Sequence, residues 1–131
     1  MIEKALVYEI GNIEGLKGEI YPLNAPEGVV KPHIVYARLS TDRAKTLDGE
    51  DKESEMRFML SIMTKTYGEM KSYQTKIVDK LQSFLFEIIG DVPNKFYIQD
   101  ISIENVTEKI EENLKLYRGI IDFTIHGRGV L

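Results

Sequence analysis

The sequence predicts an α+β domain: a mainly antiparallel sheet of four to five strands, with an N-terminal helix and one long central helix packed on one face. Three observations carry that expectation. Met56, Phe58, Leu60 and Ile62 alternate with Arg57, Met59, Ser61 and Met63, the period of two of a strand buried on one side. Met70, Tyr73, Ile77, Leu81, Phe84 and Ile88 recur at steps of three and four, the stripe of an amphipathic helix. The other apolar runs are joined by tight or strongly polar links, which suit antiparallel neighbours.

The elements follow in order. Ile2, Leu6 and Ile10, widened by Ala5 and Ile13, form one apolar stripe and predict a short helix that Gly11, Gly15 and Gly18 stop. Glu19 to Leu23 reads as a brief extended segment ended by the Pro26 and Gly28 turn. From Ile34 to Leu39 the residues favour a pleated surface, with Val35, Ala37 and Leu39 on one face and Ile34, Tyr36 and Arg38 on the other. A charged loop over residues 41–53 separates this strand from the alternating one, and the two are expected to make an extended hairpin.

Thr66-Tyr67-Gly68-Glu69 has the form of a capping box, so the long helix is expected to begin there and to run about six turns to Gly90, a residue suited to a left-handed C-terminal position. Phe96 to Ile103 predicts a strand whose apolar phase slips near Gln99 and Asp100, which a β-bulge would absorb. Glu104 to Asn113 reads as a polar link with room for one helical turn, and Leu116 to Ile125 as the last strand, burying Tyr117, Ile121, Phe123 and Ile125. Residues 126–131 are expected to be a flexible C-terminal tail.

At 131 residues the chain fits a single domain over 1–131, and 43% hydrophobic residues are enough to fill one core. A net charge of −4 is the reverse of a dedicated phosphate-backbone binder. The absence of Cys excludes disulfides, thiolate nucleophiles and Cys-based zinc sites, and fits a reducing compartment. No apolar stretch approaches the roughly 20 residues of a membrane span, and the charged start Ile2-Glu3-Lys4 signals no export.

Chemistry-bearing motifs are equally sparse. His33 and His126 stand far apart with no marked carboxylate partners, so no metal is expected. The glycines at 11, 15 and 18 have neither dinucleotide-binding nor phosphate-loop spacing, and no serine lies in a nucleophile elbow. Acid pairs such as Asp48 with Glu50 fall in solvated segments. Gly127-Arg128-Gly129 supplies one phosphate contact at best. The residues thus point to no catalytic or cofactor site, and leave the 41–53 loop, with five acids and three bases, as either an interaction arm or a tolerated surface loop.

Six landmarks then stand in order: Tyr21-Pro22-Leu23-x-Ala25-Pro26-x-Gly28, Lys31-Pro32-His33-Ile34-Val35-Tyr36, Thr46-Leu47-Asp48-Gly49, Arg57-Phe58-Met59-Leu60-Ser61-Ile62, Lys65-Thr66-Tyr67-Gly68-Glu69 and Arg118-Gly119-Ile120-Ile121-Asp122-Phe123. Together they resemble the tail-completion, or tail-to-head joining, proteins of tailed phages and prophages, which are similar to tail terminators. The chain departs from that pattern at His33, where the family often has an aromatic, and near Met63, where it has a Trp-like residue.

The resemblance implies a non-enzymatic structural protein without cofactor. Such a protein closes a ring, typically a hexamer, on the head-proximal end of the tail tube, ends tube growth and joins tail to head. Its implied partners are copies of itself, the tail tube protein and the head connector, with DNA passing through the lumen unbound and no membrane involved. The implied location is the host cytoplasm during assembly and then the head–tail junction of the virion. A ring needs two different patches per subunit. The strand positions expected to remain after core burial are Ile34, Tyr36, Met59, Met63, Leu116 and Ile120, and the arm would add Asp42, Arg43, Lys45, Leu47 and Asp48. The competing readings are a head-completion or connector protein, a small α+β enzyme or ligand-binding module with a sheet-side pocket, and a single-strand nucleic-acid binder stacking bases on Phe96 and Tyr97.

Overall fold

The computed structural model describes residues 2–43 and 54–130. Its elements are α1 (Ile2–Gly11), β1 (Ile20–Pro22), β2 (His33–Arg43), β3 (Ser54–Thr64), α2 (Tyr67–Gln82), β4 (Ile88–Ile89), β5 (Lys95–Glu111) and β6 (Leu116–Val130). They build one curled sheet in the order β1-β2-β3-β6-β5-β4. Every pairing is antiparallel except β1 with β2, which is parallel.

This corrects the expected architecture. The sheet has six strands and is mixed, and only 22% of the chain is helical, so the fold is mostly β. The central helix is the main reason. Its start is where the capping box puts it: the Thr66 hydroxyl accepts the Glu69 amide at 3.2 Å and in turn meets the Glu69 carboxylate at 3.0 Å. Its end is not at Gly90 but at Gln82, after 16 residues. Beyond Phe84 the chain turns with Phe86 in a left-handed conformation, φ 63°. The Phe86 amide then donates to the Ile98 carbonyl at 2.9 Å, and the Ile98 amide donates to that of Glu87 at 3.0 Å. Backbone groups that a longer helix would have satisfied internally instead close the edge of β5, and tertiary pairing overrides helical periodicity.

Two further expectations change with β5 and β6. The span from Glu104 to Glu111, read as a polar link, continues β5, and the chain reverses only at residues 112–115. Within the 126–131 segment expected to be a flexible tail, Gly127 to Val130 instead pair with Ile98 to Lys95 in the sheet, and 131 lies outside the described residues. The predicted bulge is present, the β5–β6 register shifting between Ile98 and Asp100 and again between Ile103 and Asn105. Of the 41–53 loop, residues 41–43 finish β2, while 44–53 lie outside the described residues.

The core lies on one face. Across β3 and β6 the register sets Met56 against Ile125, Phe58 against Phe123 and Leu60 against Ile121. The two phenylalanine rings stack at 5.6 Å. Onto this face α1 brings Ile2, Leu6 and Ile10, and α2 brings Ile77 and Leu81. The Gln74 amide of α2, itself buried, donates to the Thr107 carbonyl at 2.9 Å. Burying one such Ile, Leu or Phe side chain stabilises the fold by about 1.5–3 kcal/mol. Among the described residues, no helix covers the other face.

Gly127 gives a sharp test of the ordered C-terminal strand. A Cβ there would collide with the Tyr97 carbonyl and reach 2.7 Å from the Phe96 ring, whereas at Gly129 it would meet nothing within 4 Å. Gly127→Ala should therefore cost about 1–3 kcal/mol in chemical denaturation, the range of core overpacking, and Gly129→Ala should stay near wild type.

Candidate functional site

Because both helices sit on one side, the opposite face and the two lateral edges of the sheet are what the molecule presents. The open face has two characters. Near its centre Val35, Ala37, Met59, Met63 and Ile120 form a half-buried apolar band. Toward the far end it turns polar around a shallow concavity of about 460 Å³ floored by Arg57, Ser102, Glu104 and Thr124. There the Thr124 hydroxyl meets the Glu104 carboxylate and Arg57 stands 4.0 Å from it.

Arg118 ties this face together. Its guanidinium donates to the Ser61 hydroxyl through Nε at 3.1 Å and Nη2 at 2.8 Å, and to the Glu111 carboxylate through Nη1 at 2.9 Å. Ser61 is only 1% exposed. The arginine thus satisfies a buried hydroxyl on β3 and an acid on β5 from its place on β6 between them. The Arg118 hydrogen bond holds the Glu111 carboxyl below the usual glutamate range, with Lys109 adding to it. A second ion cluster fastens α2 to β5, where Tyr67 and Lys71 both donate to Glu108, at 2.7 and 3.1 Å, and lower its pKa in the same way.

A second hollow, about 400 Å³, opens between the 24–29 turn and the β2–β3–β6 end of the same face. His33 and Leu116 line it. His33 is 2% exposed and its Nδ1 lies 2.8 Å from the Lys31 carbonyl, so this ring is a satisfied structural group. Among the described residues no three His, Cys, Asp or Glu side chains are grouped to hold a metal. The shifted acids in these clusters are explained by the ion pairs and hydrogen bonds they make, which fasten β5 to β6 and to α2.

The sequence-predicted interface residues divide over the fold. Met59, Met63 and Ile120 lie together on the open face. Leu116 shares that side but is buried beneath the 24–29 turn. Ile34 points to the helix side and is fully buried, and Tyr36 packs against the same core, so neither is left over from core burial. Asp42 and Arg43 end β2, while Lys45, Leu47 and Asp48 fall outside the described residues.

Sequence reasoning missed the exposed apolar groups at the two flanks. Beside β4 these are Phe86, Ile88 and Val92, exposed by 67%, 55% and 72%; beside β1 they are Leu23 and Val30, at 77% and 50%. The signal was available at Val92-Pro93, since an apolar residue in a turn has no strand to bury it.

Since the Glu111 pKa is lowered in the folded state, its pairing stabilises the protein above the unfolded pKa and the contribution disappears as pH falls through the glutamate range. Glu111→Gln should lower stability by about 0.5–1 kcal/mol at about pH 7. In thermal melts at about pH 3 the variant and wild type should converge.

The chain matches the family model of tail completion protein gp17 over residues 10–126. No curated protein sequence matches it. Among solved structures, a chain in the virion of a native gene transfer agent particle has the same fold, with a TM-score of 0.56 over 95% of this chain and 84% of that one, at 13% identity. The family match reaches every strand of the sheet, β6 as far as His126, together with α2, and the chain belongs to the tail completion protein gp17 family of phage tail structural proteins.

Proposed function

We propose that this protein forms a ring, typically of six copies, at the head-proximal end of a phage-type tail tube, ending tube growth and offering the surface on which the head connector docks. The family match over 10–126 is the observation that carries the reading. The geometry supports it. A closed ring requires each subunit to meet its neighbours through two different patches. Here two dissimilar flanks, Phe86, Ile88 and Val92 beside β4 and Leu23 and Val30 beside β1, lie at opposite ends of the strand order.

The open face supplies a third surface, part apolar through Met59, Met63 and Ile120 and part polar through Arg57, Glu104 and Thr124. Tube and connector are separate partners, and a face divided this way can serve two contacts. A net charge of −4 suits a lumen through which DNA slides without being held. The work is done by position: the protein binds in the host cytoplasm as the tail is completed and stays at the junction in the virion.

Particles produced without this protein should show tails separated from filled heads and tubes of irregular length by electron microscopy. Normal joined particles in its absence would end the proposal. Co-purification with portal protein and not with tail-tube protein would move the chain to the head side of the junction.

A further inference from the structure

Resting on the ring reading, we infer that neighbouring copies are joined by backbone: the open edge of β2 over residues 37–43 pairs with the open edge of β5 over residues 100–111 in the next copy, so that one sheet continues from subunit to subunit. Among the described residues, β1 covers β2 only at Ile34–Tyr36, and β4 covers β5 only at Phe96 and Tyr97. Each edge is therefore capped by a short strand at one end and carries no strand over the rest. Unpaired edge N–H and C=O groups are a template for another strand.

The direction of the strands makes the match a productive one. From β2 to β3, β3 to β6 and β6 to β5 the chain reverses three times, so β2 and β5 run oppositely. Continuing the sheet head to tail then places β5 of one copy antiparallel to β2 of the next, the more stable kind of ladder. The windows also correspond in position. Ala37, Met59, Asp122 and Asn105 form one row across the sheet, and Ser40, Arg57, Thr124 and Ser102 form another.

Charge selects this partner over a second copy of the same edge. In the β5 window Asp100, Glu104, Glu108 and Glu111 outnumber Lys109, so pairing two β5 edges would bring acids together, whereas the described side chains of the β2 window, residues 37–41, include no acid. The two capping strands also give the contact its shape. Because β1 fills the slot beside Ile34–Tyr36, an incoming β5 has to pair beyond it, which staggers each copy along the strand direction relative to the last. Stagger with tilted strands is what closes a sheet into a barrel.

The natural absence of cysteine makes crosslinking a clean test. Ser40, Ser102, Thr107 and Lys109 are exposed positions in the two windows, and each can be replaced by Cys without touching the core. Double variants pairing Ser40→Cys with Ser102→Cys, Thr107→Cys or Lys109→Cys are treated with a short bismaleimide, both as concentrated protein and in purified tails. At least one pair should give a ladder of covalent multimers, while every single variant stays monomeric on a denaturing gel. Covalent dimers from the single β5 variants would replace the inference with a two-fold β5–β5 contact. Multimers seen by native mass spectrometry with no crosslinked ladder would overturn the edge pairing and leave the ring standing. A monomer in both settings, with normal particles in its absence, would remove the ring and the pairing together.

Discussion

The alignment of β3 with β6 governs this molecule. Setting Phe58 against Phe123, with Met56 on Ile125 and Leu60 on Ile121, puts these six core side chains on the side that the helices cover. A slip of one residue would send all of them to the other face. Arg118 enforces the same alignment from behind, because its bonds to Ser61 and Glu111 are made only when β3, β6 and β5 are in this register. An apolar lock on one side and a polar clamp on the other thus specify the same pairing, the agreement between levels that makes a sequence fold to one state.

From that alignment the functional surface follows by subtraction. Two helices are enough to cover one face of a six-stranded sheet, and both are used there, with α1 held at its two ends by Glu3 to Arg38 at 2.5 Å and by Glu9 to the Gly90 amide at 3.3 Å. Gly90 is required at this junction: its φ is +89°, and a Cβ would come within 2.7 Å of Ala5 on α1. The same glycine that reads as a helix terminator in the sequence is in fact the place where α1 crosses the start of the β4–β5 turn.

What the sequence made legible was local, and what it hid was decided by distant pairing. The period of two in β3, the capping box at Thr66 and the phase slip at Gln99 are each written in adjacent residues, and each appears as expected. The end of α2 was not legible, because Phe84 and Ile88 fit the helical stripe and only the position of Ile98, more than ten residues on, shows that the chain must leave the helix to pair. The polar run from Glu104 to Glu111 hid a strand for a related reason: as an outer strand it buries little on either face, so its alternation is faint. Of the candidate interface, Ile34 and Tyr36 went to the helix side by the same cause. Whether Ile34 or Val35 faces the helices depends on which residues of β3 they oppose, and no residue of β2 records that alone.

An exposed edge is normally a hazard, and proteins usually blunt it with charge, bulges or brevity. All three devices occur here, yet none closes the windows. The β5 edge carries bulges at Gln99 and Glu104 and a line of carboxylates, and the β2 edge a bulge near Leu39, while β1 and β4 are too short to cover more than a few residues of either. Devices that deter indiscriminate pairing while leaving part of an edge without a strand favour one specific partner over many. For a chain of a tail completion family, that partner is best sought in the next copy, where two unlike edges can join in sequence until the last meets the first.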